Sequence, residues 1–205
     1  MQAEIYEYFL QNQKELLICE DEKEAAACEQ VLKFMGYAAF CLPDFRASFG
    51  EDLRSYMGEL AGISTALSAF YKENGKKILI SPVRTILNKL PAASHLRPLN
   101  IKFGSELNLS ELKDEILRLG YDVRDIVESM GEVSFRGEII DIFSVGGESA
   151  VRILLDGETV ESIRRFDVAT QKSEKDELAQ VEIAPFLANL SEDEFESVSE
   201  KISRA

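Results

Sequence analysis

The sequence predicts an α/β chain: a parallel-sheet domain first, then an α+β domain built on an antiparallel sheet. Three observations carry this. Short apolar runs at 15–19, 37–42 and 78–81 alternate with helical stretches, which implies parallel strands covered by helices. Residues 120–167 instead alternate apolar and polar side chains between Gly131, Gly137, Gly146-Gly147 and Asp156-Gly157, the pattern of an antiparallel meander. Finally, 205 residues with 45% hydrophobic side chains can bury a sizeable core, divided between two small domains.

In order, residues 2–11 form a short helix with Ile5, Phe9 and Leu10 on one side, and Glu15 to Cys19 a buried strand. Asp21 with Glu24 is a variant of the capping-box spacing, Ala25 to Met35 is helical, and Gly36 ends that helix. Tyr37 to Leu42 is a strand. A loop at Pro43-Asp44 leads to a helix over roughly 54–72 with Leu60, Ile63, Leu67 and Phe70 on a common face, closed by Asn74-Gly75. Ile78 to Ser81 is the third strand, Pro82 opens a helix to Leu90, and Arg97 to Phe103 returns extended.

Ser110 is placed as the N-cap of a helix over 111–119, stopped by Gly120. In the meander, Asp156-Gly157 suits a type I′ hairpin. Glu174 to Glu177 reads as a charged turn and Val181 to Pro185 as a short strand. Ser191 to Glu194 is a capping box before a helix striped by Phe195, Val198 and Ile202.

Composition narrows the function. Net charge is −14, and residues 101–205 hold 12 basic against 24 acidic side chains, a balance that repels phosphate backbones and favours a protein partner over nucleic acid. The apolar runs are too short to span a membrane and the start lacks a basic, apolar leader, so a cytoplasmic location is expected. Cys19, Cys28 and Cys41 lack metal-ligand spacing and read as small buried or half-buried thiols; with His95 the single histidine, no metal site is expected. That one histidine also leaves Ser134, Ser144 and Ser149 without a base for nucleophilic catalysis, and the carboxylate pairs at 111–115 and 192–194 sit at helix starts. No catalytic residue, cofactor or enzyme activity is expected. What remains are arginines and aromatics of the meander, the side chains that dominate protein interfaces. Arg136 is placed to face solvent, and Phe143 is open to a core or an interface role. Arg124, Arg152, Arg164 and Arg165 are expected in salt bridges with nearby acids.

The run Gly120-Tyr121, Asp125, Gly131-Glu132, Arg136-Gly137, Ile140 to Phe143, Ser162 to Asp167 and Thr170-Gln171 resembles the UvrA-binding domain shared by the nucleotide-excision-repair protein UvrB and the Mfd family of transcription-repair coupling factors. The turn Leu42 to Phe45 and the strand and helix Ile78 to Leu87 are similar to the opening domain of the Mfd family. The resemblance implies a UvrB-like first domain over 1–103, P-loop-like but degenerate, an inserted UvrA-binding α+β domain over 104–185, and at 186–205 a segment returning to the first domain of a longer protein. It implies UvrA as the partner, met by Arg136, Phe143 and an arginine near the Gly-Tyr start. There the family pattern G-Y-x-R-x-D departs: Val123 holds the arginine's place and Arg124 follows, a shift that reverses the face in a strand but not in a loop. RNA polymerase and duplex DNA would be partners of absent parts of the longer protein, as would its ATP-driven translocase activity.

A P-loop needs G-x-x-x-x-G-K-[ST] after the first strand. Glu20 to Glu24 has no glycine and four acids there, which disfavours ATP binding and UvrB itself. The alternative from another class is a nucleotide- or small-molecule-binding enzyme domain using the carboxyl ends of the parallel strands.

Overall fold

Strands of four residues bury little by themselves, so each needs neighbours on its edges and a helix on its face. In the computed structural model, which describes residues 2–48 and 51–186, Leu16–Cys19 (β1), Ala38–Cys41 (β2) and Lys77–Pro82 (β3) form a parallel sheet in the order β1-β3-β2. The helices Gln2–Gln11 (α1) and Glu22–Phe34 (α2) supply Phe9, Ala25, Cys28 and Leu32 to a core shared with Cys19, Tyr37, Ile78 and Ile80. The helix Met57–Lys72 (α3) buries Ile63 and Leu67, and its Phe70 meets Phe40 of β2 edge-to-face at 6.0 Å.

Two helices depart from expectation. The stretch from residue 53 opens as a 3-10 turn, Leu53–Tyr56, before α3 begins. The helix expected over 82–90 is a single turn, Val83–Ile86 (α4), because Asn88 Nδ2 donates to Arg84 O at 2.9 Å and takes a carbonyl that a longer helix would use.

The chain divides into two units, residues 1–93 and 94 onward. Leu99–Lys102 (β4), expected in the first domain, pairs antiparallel with Gln180–Ile183 (β11) and therefore lies in the second unit. The helix Leu109–Arg118 (α5) is capped not by Ser110 but by Asn108, whose Oδ1 accepts from the amides of Ser110 and Glu111. Asn at that position frees Ser110 to be helical.

The central sheet has six strands in the order β10-β9-β8-β7-β6-β5: Asp122–Val123 (β5), Glu132–Arg136 (β6), Ile139–Ile142 (β7), Ala150–Asp156 (β8), Thr159–Phe166 (β9) and Ser173–Glu177 (β10). All pairings are antiparallel except β5 with β6. The charged turn expected at 174–177 is instead the edge strand β10, exposed throughout, as an edge rich in charge should be. The turn between β8 and β9 consists of Gly157 and Glu158, since Asp156 pairs with Thr159. Gly157 has φ +62° while Glu158 is not left-handed, so the hairpin has the first-position glycine of type II′ rather than the expected I′.

Phe135 pairs through the register with Ile140, Ile153 and Ile163, three buried residues that define one face of the sheet. Lys113 of α5 lies 5.6 Å from the centre of the Phe135 ring, which places α5 on that face. Tyr121, just past α5, ties three segments together: its hydroxyl donates to Ala184 O at 2.7 Å, accepts from the Val145 amide at 3.1 Å and meets Ser144 Oγ at 3.2 Å. Gly131 has φ +87°, and a Cβ there would sit 2.4 Å from Cε2 of Phe186, so glycine is required by backbone and neighbour alike. The expected cap at 191–194 and the helix striped by Phe195, Val198 and Ile202 lie outside the described residues. Among the described residues, no helix is long and apolar enough to cross a membrane.

Candidate functional site

Side chains alternate along a strand, so the register that turns Phe135 and Ile140 toward α5 turns the next residues the other way. Ser134, Asp141, Arg152 and Arg164 stand directly opposite one another across β6, β7, β8 and β9, and Arg136 follows Ser134 on the same face. A carboxylate in the strand Ile-Ile-Asp-Ile has no exposed surface, so its charge must be answered within the protein. Two arginines answer it. Arg152 donates from Nε to Asp141 Oδ1 at 2.7 Å and from NH2 to Oδ2 at 2.9 Å, a bidentate fork, and this hydrogen bonding raises the guanidinium pKa above its ordinary value. Arg136 adds its NH2 to Oδ2, reaching back across the two-residue turn Gly137-Glu138.

The two arginines differ in access. The Arg152 side chain is 22% exposed, donates also to Gln171 O and Ser173 Oγ, and lies over the Phe166 ring. Arg136 is 46% exposed, and Asp141 is the acid it reaches among the described residues. It therefore faces solvent, as expected, while one corner of its guanidinium is held.

Phe143 follows β7 and is half-buried, packed against Val127, Ala150 and Phe166. Its backbone is fixed on both sides, the amide donating to Glu132 O at 3.0 Å and the carbonyl accepting from Gly131 N at 2.8 Å. Val123 pairs with Val133, so the α5 side takes the residue at the family's arginine position, and Arg124 falls on the Ser134 side with Arg136. Arg124 ion-pairs with Asp122 at 2.7 Å and reaches toward Glu132 at 3.9 Å. Arg164 pairs with Glu177 at 2.6 Å, the local pairing expected of these arginines.

The loop 124–131 is held to this face by four side-chain hydrogen bonds: Ser134 Oγ donates to Asp125 O at 2.9 Å, Gln171 Nε2 donates to Val127 O at 3.1 Å, and Glu132 accepts from the amides of Glu128 and Ser129. Gln171 does this from a left-handed backbone, φ 59°. Sequence reasoning named Arg136, Phe143 and Arg124 but missed Asp141 as the group that anchors Arg136 and Arg152. The signal was present: an acid inside an apolar strand demands a cationic partner.

In the first unit, the turn after β1 is filled by carboxylates. Asp21 accepts from Glu24 N at 2.8 Å, Glu24 accepts from Glu20 N at 2.7 Å, and Glu22 accepts from Asp44 N at 2.8 Å. The Glu24 amide in the first turn of α2 is thus already committed to an anion of the chain itself. Cys19 and Cys28 are buried with sulfurs 3.9 Å apart, Cys41 is half-buried, and all three are free thiols. Burial pushes the Cys19 and Cys41 thiols up to about 12.

Residues 99–187 match the family model of the UvrB interaction domain. The chain is 34% identical over 196 residues to the transcription-repair-coupling factor of Helicobacter pylori strain 26695, covering 93% of this chain and 20% of that protein. It is 30% identical over 175 residues to that of Haemophilus influenzae, with 83% and 15% covered, and 30% identical over 152 residues to that of Myxococcus xanthus, with 72% and 13% covered. The chain spans about a fifth or less of the length of these relatives. Residues 99–187 thus belong to the UvrB interaction domain family, and over 93% of its length the chain is similar to the transcription-repair-coupling factor of Helicobacter pylori.

Proposed function

We propose that this chain is the recruiting module of a transcription-repair-coupling factor and that the sheet face opposite α5 binds UvrA. The observation that supports this best is Arg136, a half-exposed guanidinium anchored on a buried carboxylate within the matched domain. An arginine fixed in place can present its fork to a partner carboxylate with little loss of side-chain entropy, the property of an interface hot spot. Arg124 and Phe143 lie on the same side of the sheet, Arg124 at an edge strand and Phe143 beside Phe166, and complete the proposed surface.

The module works by binding, without ATP hydrolysis of its own. The carboxylates of Asp21 and Glu24 on the turn after β1 support this, since a triphosphate would meet acids where a P-loop offers amides and a lysine. RNA polymerase and duplex DNA are partners of the longer protein through parts outside this chain. The test is calorimetric titration of the chain into purified UvrA and, separately, with ATP and magnesium. Saturable UvrA binding without ATP binding is expected; the reverse would favour the nucleotide-binding alternative.

A further inference from the structure

Among the described residues, Asp141 is the one charged side chain that is fully buried, and Arg152 alone would satisfy both of its oxygens. Arg136 is a second cation on an oxygen already occupied. Two guanidiniums on one carboxylate leave a surplus of one positive charge, and it sits on the more exposed of the two arginines. A purely structural pair would close at neutrality, because an extra half-exposed ion pair contributes little to folding.

We propose that Asp141 is a positioning residue for binding: by accepting from one corner of the Arg136 guanidinium it sets the plane of that group, so that the remaining N–H donors meet an Asp or Glu of the partner. This rests on the reading that the face binds UvrA. Asp141 itself touches no partner atom. Arg152 keeps the buried carboxylate in register, through its bonds to Gln171 and Ser173, while Arg136 spends its free edge on the complex.

The test is a double-mutant cycle in the whole 205-residue chain, with Arg136→Gln, Asp141→Asn and the double variant titrated into UvrA at low and moderate salt and each melted beforehand. Arg136→Gln should weaken binding at least about tenfold and flatten its salt dependence. Asp141→Asn should weaken it by a similar factor, and the double variant should be no worse than Arg136→Gln within about twofold. Multiplying losses, or wild-type affinity in a folded Asp141→Asn, would overturn the proposal. Arg136→Lys leaves Asp141 untouched and keeps the charge but not the fork, so it remains informative if Asp141→Asn does not fold; wild-type affinity there would equally overturn it.

In the free chain, the guanidinium NMR signals of Arg136 should be those of a restrained group and should become mobile in Asp141→Asn. Equal mobility in both refutes the positioning role without reference to UvrA. A wild-type chain that ignores UvrA, with Arg136 still restrained by Asp141, refutes the binding reading and with it the purpose assigned here to the restraint.

Discussion

The guanidinium of Arg152 lies 4.8 Å from the centre of the Phe166 ring. Phe166 is buried in the cluster with Val127 and Ala150 against which Phe143 packs, so the ionic part of the sheet face and its aromatic part rest on one core cluster. The stack helps to hold Arg152 in the orientation that forks onto Asp141, and a cation over an aromatic face adds roughly 0.5 to 2 kcal/mol.

Phe143 should therefore matter to both folding and binding. Half-buried against Val127, Ala150 and Phe166, it loses in Phe143→Ala a part of the about 3 to 5 kcal/mol typical of a fully buried phenylalanine, on the order of 2 kcal/mol. Urea unfolding should show that loss. An unchanged midpoint would mean that the ring contributes nothing to the core.

Gly131→Ala should be among the most damaging single-methyl additions. It forces a left-handed backbone on alanine, about 1 to 2 kcal/mol, and drives the methyl into the Phe186 ring, which can leave only by giving up its own buried site. A melting temperature lowered by several degrees is expected, and near-wild-type melting would show that Phe186 moves freely.

Asp21→Ala removes the cap of α2 and should cost about 1 kcal/mol. It should not create affinity for ATP, because Glu20, Glu22 and Glu24 remain and no glycine is supplied. Thermal melting with and without ATP and magnesium separates the two effects. A shift on adding nucleotide would contradict the assignment.

The cysteines predict an alkaline limit. Cys19 and Cys41 are raised by burial from 9.0 to about 12 in the folded chain, so between these values the folded state holds protons that the unfolded state has released. Their contribution to stability is complete below about pH 9 and is lost as pH rises toward 12. Unfolding midpoints should fall across that range, and native Cys19 and Cys28 should resist alkylation near pH 8. Rapid labelling of the folded chain would show that these thiols are open to solvent.

Much of the fold could be read from local pattern. The apolar runs that became β1, β2 and β3 and the alternation through Val133, Phe135 and Ile140 depend on periods that neighbours do not alter. Where the reading departed, a non-local or competing contact decided. Residues 99–102 carry no label of the sheet they join, and only their pairing with 180–183 assigns them. Asn108 and Ser110 are both good caps, and the choice between them lies in two amide hydrogen bonds. The acids and lysine at 173–177 look like a turn until β9 offers an edge. For the site, residue chemistry singled out Arg136, but its anchoring on Asp141 beside Arg152 needs the cross-strand register to become visible.

The measurement that bears most directly on the central claim is the affinity of the chain for purified UvrA, compared with that of Arg136→Glu. Reversal places a carboxylate beside buried Asp141 as well as before the partner, so the variant must first be shown to be folded by circular dichroism. Saturable binding by the wild type, weakened at least about thirtyfold in folded Arg136→Glu, is the predicted result, in line with the roughly 2 to 5 kcal/mol attached to a truncated interface charge pair. Equal affinity of the two chains, or no affinity in the wild type, would contradict it.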